Sequence, residues 1–195
     1  MKNRCTWAGD DPMMRAYHDE EWGIPLYDDQ KLFEFLILEG MQAGLSWSTI
    51  LKKRDNFRNA FDNFDAVKIA RYRNAKIEKL MSEAGIIRNR LKIKAAISGA
   101  KAYLNVQKEF GSFHNYIWQF TGGKPIVNKW KTLKDIPVFT PEAEVMSKDL
   151  KRRGFNFVGP TICYAFMQAT GMVNDHTTDC FRYKQVLKEK RRSMK

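Results

Sequence analysis

Cysteine is scarce in this chain: there are three in 195 residues, an odd number. A disulfide framework is therefore not what holds it together, and a reducing compartment suits it. Long apolar runs are missing, which leaves no candidate for a transmembrane helix. The first twenty residues carry charges throughout and lack the apolar core of a signal peptide. Both absences point to a cytoplasmic protein with no membrane partner. Also missing are an internal repeat and any sustained period-two alternation of strand quality, so a sheet-built fold is not expected. Negative charge is in deficit. Against 34 Lys and Arg stand 22 Asp and Glu, a net charge of +12. That excess favours a polyanionic partner, nucleic acid ahead of a membrane surface, although a merely soluble basic protein shows the same balance.

What is present is helical periodicity interrupted by caps. Hydrophobic content of 44% over 195 residues suffices for a sizeable core. Residues 1–27 read as irregular and aromatic, with a short helix opened by Asp10, Asp11 and Pro12. Asp28 or Asp29 caps an amphipathic helix to about Met41, and Ser46 caps the next, Trp47 to about Phe61. Asp65 caps Ala66 to Tyr72, and Asn74 caps Ala75 to Glu83 with Gly85 closing it. A long helix runs from about Asn89 to Glu109 and a short one from Phe113 to Phe120. Residues 126–139 read as loop. Thr140-Pro141 opens a helix to Arg153, and Pro160 opens the last, to about Thr170. The expectation is an all-α fold, with residues 1–183 as one helical domain of one or two lobes. Residues 184–195 would be a basic tail that frays.

Within this pattern three groups of residues carry chemistry. Cys5 and His18 near one end, and His176 and Cys180 near the other, make a complete tetrahedral zinc set; from spacing alone the default reading is free thiols and unconnected surface histidines. Phe155 to Thr161 joins two helices. Gly159 and Pro160 there leave free amides at a helix N-terminus, able to face a phosphate, with Lys151, Arg152 and Arg153 just before. A tight αα-corner with glycine for packing explains the same residues. Lastly, Glu39 sits at the end of an apolar helix, two glycines follow, and then Trp47. A carboxylate beside glycine is poor helix and core chemistry, a local conflict expected at functional sites.

Leu38-Glu39-Gly40-Met41-Gln42-Ala43-Gly44-Leu45-Ser46-Trp47 resembles the signature of the DNA-3-methyladenine glycosylase I family, within the helix-hairpin-helix DNA glycosylases. Arg4-Cys5-Thr6-Trp7, Tyr17 to Gly23, Phe155 to Gly171 and Asn174-Asp175-His176 extend the likeness over roughly residues 1–180. The resemblance implies a helix-hairpin-helix glycosylase fold whose chain ends are stapled by one structural Zn2+ on Cys5, His18, His176 and Cys180. It implies a base pocket of Glu39, Tyr17 and Trp47, with Trp7 and Trp22 as further wall or as core. Glu39 would take the main catalytic role. Asp175 is a second candidate, since it stands near where many superfamily members carry a catalytic Asp. The hairpin residues Val158, Gly159 and Thr161, with Arg153, would hold the DNA backbone. Leu45 would be either a wedge into the stack or part of the core.

The activity implied is hydrolysis of the N-glycosidic bond of 3-methyladenine in double-stranded alkylated DNA, as a monomer. Free 3-methyladenine is then the product, and no lyase step is expected. The rival readings are a non-enzymatic helix-hairpin-helix DNA binder and a hydrolase with a catalytic zinc.

Overall fold

Helix starts follow the capping residues closely. The computed structural model describes residues 2–192. Asp11 accepts the Met13 amide and opens α1, Pro12–Glu20. Asp28 accepts from Lys31 to open α2, Asp29–Gln42, and Ser46 accepts from Thr49 to open α3, Trp47–Ala60. Asp65 caps α4, Ala66–Ile69; α5 spans Asn74–Ser82. Asn89 caps the long α6, Arg90–Phe110, and Ser112 caps α7, Phe113–Trp118. Thr140 caps α8, Pro141–Arg152; α9 is Pro160–Ala169 and α10 Phe181–Arg192. A side-chain oxygen that satisfies a first-turn amide explains most of these starts. Asn74 is not a cap: its helix starts on Asn74 itself, after Arg73.

Two further expectations are corrected. Helix α2 is not amphipathic, because every residue from Leu32 to Met41 is buried. A helix apolar on all sides belongs at the centre of a domain, and α2 packs against α3, α6, α7 and α9. The loop at 126–139 contains a two-residue strand, β1 (Ile126–Val127), parallel to β2 (Val173–Asn174). It is too short to leave any alternation in the sequence. From Lys184, where fraying is expected, the chain stays helical to Arg192; residues 193–195 of that tail lie outside the described residues. Among the described residues no helix is long and apolar enough to cross a membrane.

The chain's beginning lies against its end. Phe181 donates its amide to the Asn3 carbonyl, and the Asn3 side chain reaches Asp179. Residues 23–26 cross the C-terminal end of α9, where the Gly23 amide meets the Gln168 carbonyl and the Leu26 amide meets that of Thr170. Gly171 makes this crossing possible: at φ +68°, a Cβ there would lie 2.3 Å from the Ile24 carbonyl carbon. No side chain fits that gap.

Candidate active site

Where α1, α2 and α3 converge with α9 there is an open-mouthed cavity of about 200 Å³, and all five pocket residues expected from the sequence line it: Trp7, Tyr17, Trp22, Glu39 and Trp47. The aromatic rings form a continuous wall. Trp7 meets Trp22 edge-on at 5.0 Å and Tyr17 at 6.2 Å, and Tyr17 lies 5.4 Å from Trp47. Phe35, one turn before Glu39 on α2, stacks on Trp47 from behind.

Glu39 supplies the polarity. It is 3% exposed, and its Oε2 is buried without a hydrogen-bond partner, as is the Trp47 indole N–H. Buried polar atoms are rarely left unpaired, and an exception calls for an explanation such as a missing ligand. Burial pushes the Glu39 carboxyl up to about 8, because removal from water disfavours the anion. The free protein therefore keeps Glu39 protonated at neutral pH. A flat cation in the cavity reverses that balance, since it pairs with the carboxylate and is attracted by the ring faces.

The turn after α2 is held from outside. Helix α2 has no cation in its own last turn. Lys92 of α6 supplies one: its Nζ donates to the carbonyls of Met41 and Ala43 at 2.8 and 2.7 Å. Burial pulls that ammonium below its ordinary value, yet it satisfies helix-end carbonyls that would otherwise be orphaned. Leu45, at the tip of this turn, is 42% exposed and so is not a core residue. Lys92→Met is expected to cost about 1–3 kcal/mol in urea denaturation, the penalty for stranding buried carbonyls; a change below about 0.5 kcal/mol would remove this role.

The α8–α9 connection brings Val158, Gly159 and Thr161 together. Val158 is buried, and its carbonyl accepts from Ser147 Oγ at 2.6 Å and from Cys163 Sγ at 3.4 Å. Phe157 sits at φ +56°, in the left-handed region that side chains rarely adopt. A Cβ on Gly159 would meet nothing within 4 Å, so packing does not demand glycine there. Its effect is to leave the first-turn amides of α9 bare to an outside ligand. Arg153 departs from expectation. Its guanidinium pairs with Glu109 and Asp149 and lies 4.9 Å over both Phe110 and Tyr116. It is a strut under the α8–α9 connection, with each of its three nitrogens engaged by a carboxylate.

Asp175 is likewise corrected. It is fully buried and receives Asn128 Nδ2 and Trp130 Nε1 on one oxygen, Tyr164 Oη and Gln168 Nε2 on the other, at 2.5–2.8 Å. It does not line the cavity. A carboxylate with four donors organises its neighbours and is closed to a substrate. Sequence reasoning missed Met14, Gln42, Ile136, Ala165 and Gln168 in the cavity lining, and of these Gln168 has its orientation fixed by a buried partner. The signal for Gln168 was present: an amide side chain on the largely apolar α9, three residues after Ala165, which lines the same cavity.

Cys5, His18, His176 and Cys180 are brought together, all buried, with their ligand atoms within 4.8 Å of one another. Cys180 Sγ lies 3.5 Å from His18 Nε2 and 3.6 Å from His176 Nδ1, and Cys5 Sγ lies 3.6 Å from His176 Nδ1. Tetrahedral zinc bonds place sulfur and nitrogen about 3.6 Å apart, so donor set and spacing both fit that ion. The outer nitrogens are engaged as metal-bound imidazoles usually are. His176 Nε2 donates to the Trp22 carbonyl, and His18 Nδ1 meets Asp19, which Arg4 grips with two nitrogens. Four protein ligands leave no open position.

Residues 7–183 match the sequence model of the family described as methyladenine glycosylase. The chain is 51% identical over 180 residues to DNA-3-methyladenine glycosylase 1 of Escherichia coli K12, covering 92% of this chain and 96% of that one. A crystal structure of 3-methyladenine DNA glycosylase I superposes with a TM-score of 0.90 at 50% identity, over 92% and 98% of the two chains. The enzyme of that name from Staphylococcus aureus, in a structure that addresses 3-methyladenine recognition, superposes at 0.89 with 38% identity, over 92% and 96%.

Proposed function

The chain belongs to the methyladenine glycosylase family, and on that premise we propose how its residues remove 3-methyladenine from alkylated DNA in base excision repair. The observation that carries the reading is the pair of unpartnered buried groups, Glu39 Oε2 and Trp47 Nε1, in a cavity walled on one side by aromatic rings.

Adenine methylated at N3 carries a positive charge while still joined to its sugar. It is flat and polarisable, and the aromatic wall with one carboxyl suits both properties. The base must leave the duplex stack to enter. Once it is seated, its charge favours the ionised form of Glu39, which accepts a hydrogen bond from the base edge. The C1′–N9 bond then breaks with its electron pair passing to the base, which departs neutral. The sugar is left as an oxocarbenium-like cation; water adds at C1′ and loses a proton. The leaving group is already activated, so Glu39 selects and holds the base and need not donate a proton. Among the described residues no lysine lines the cavity for imine chemistry, which supports simple hydrolysis without strand cleavage.

The α8–α9 hairpin acts as a helix-hairpin-helix anchor. The bare amides at Gly159 and Thr161 take a backbone phosphate, contacts that position the DNA without reading sequence. Leu45 is the apolar side chain exposed where it can fill the space left by the extruded base. Cys5, His18, His176 and Cys180 would hold a structural zinc ion, whose contribution is to fix the chain ends.

Incubation with methylated duplex DNA and mass-spectrometric search for released base tests the reading directly. Free 3-methyladenine, with the phosphodiester chain intact, is the expected result. A protein that binds this DNA and releases no base would be a binder only.

A further inference from the structure

The cavity holds one polar side chain whose orientation the fold fixes and to which no role has yet been given. We infer that Gln168 is a specificity-determining residue, whose side-chain carbonyl is held toward the cavity by Asp175 as a second acceptor for the exocyclic amine of the base. This rests on the pocket reading above.

The orientation follows from the partners of Asp175. Its Oδ2 receives Tyr164 Oη and Gln168 Nε2, the latter at 2.8 Å, while Oδ1 is saturated by Asn128 and Trp130. Asp175 is 0% exposed. Turning the Gln168 amide round would set its oxygen against a carboxylate oxygen, acceptor against acceptor, with no water to relieve it. Nε2 is thus committed to the interior, and the other end of the amide is its carbonyl. Gln168 is half-buried and lines the cavity with Glu39. Its main chain is pinned too, since its carbonyl accepts the Gly23 amide at 3.0 Å.

Two acceptors in one slot match a 6-amino group, which has two N–H bonds. They oppose a 6-oxo group, which would place an oxygen against an oxygen. A site built to hydrogen-bond a substrate donor rejects analogues that lack it, because its own polar groups are left unpaired. The inference is therefore that Gln168 favours 3-methyladenine over 3-methylguanine, while Glu39 and the rings select for positive charge, which both bases carry.

The test uses the full chain and duplex DNA treated with dimethyl sulfate, with both released 3-methylpurines quantified under single-turnover conditions. Gln168→Leu is expected to lower the 3-methyladenine rate about tenfold, the worth of one neutral hydrogen bond, while 3-methylguanine release does not fall. The ratio of the two products is a readout that mere loosening of the fold would not move. Asp175→Asn serves as the second variant, and as the substitute if Gln168→Leu does not fold. An amide at 175 can donate to the Gln168 carbonyl and turn it inward, so the same loss of discrimination is expected with nearly every atom in place. Equal falls for both bases, or an unchanged ratio, would overturn the inference. If Glu39→Gln cripples excision while Gln168→Leu keeps the ratio, only this inference fails; if Glu39→Gln excises normally, the pocket reading fails with it.

Discussion

Glu39→Gln is expected to cut single-turnover excision of 3-methyladenine on the order of a hundredfold, while the protein folds and binds DNA as before. The size is that of a charge-assisted contact, about 1.5–3 kcal/mol, at about 1.4 kcal/mol per tenfold in rate. The same substitution should raise stability at alkaline pH. Burial lifts the Glu39 carboxyl from an ordinary 4.5 to about 8. Below about pH 4.5 the group is protonated both folded and unfolded, and burial of the charge costs nothing. Between there and pH 8 the unfolded chain loses the proton while the folded protein keeps it. Stability therefore falls as pH rises across that window and levels off above it, by about 5 kcal/mol at most. Glutamine has no proton to lose and escapes this decline. Urea denaturation at pH 5 and pH 9 should show the variant gaining on the parent at the higher pH while excision collapses at both. A variant that loses activity and stability together would mean that Glu39 is a packing residue.

Removal of the proposed zinc ion is expected to have the second large effect. An ion bound at a thousand times its dissociation constant stabilises the fold by about 4 kcal/mol, which for a domain of this size is roughly 10 °C in Tm. Prolonged chelation, or Cys180→Ser, should therefore lower the melting temperature by that amount or more and release one equivalent of zinc. The damage should also reach the pocket. Trp7 lies 5.2 Å from His18, and Trp22 lies 4.7 Å from His176, to whose Nε2 it offers its carbonyl. Both indoles line the cavity, so affinity for free 3-methyladenine, followed by tryptophan fluorescence, should weaken in the metal-free protein. A chelated protein with unchanged melting temperature would dispose of the staple.

Much of this was legible from the sequence, and the reasons are local. Asp11, Asp28, Ser46, Asn89 and Thr140 each satisfy an amide two or three residues ahead, so helix starts could be read without knowing the fold. The conflict of Glu39 with its apolar neighbours also lies within a few residues. What stayed hidden depends on partners far along the chain. Arg153 reads as a free cation until Glu109 is seen across from it. Asp175 reads as catalytic until Asn128 and Trp130 close over it. Leu45 was undecided because exposure belongs to the assembled surface. Gln168 was overlooked because its meaning comes from Asp175 behind it and Glu39 across the cavity.

The contact between residues 23–26 and the end of α9 has a consequence for synthesis. The pocket uses Trp7 and Gln168, and the chain ends meet through Cys5 and Cys180. Folding that proceeds from the N-terminus as the ribosome works can build α2 against its early neighbours, but it cannot close the slot. The Gly171 gap, His176 and Cys180 are made long after Glu39 and Trp47. Until Gln168 and the residues that follow it have been made, a growing chain has no closed pocket in which to seat a base.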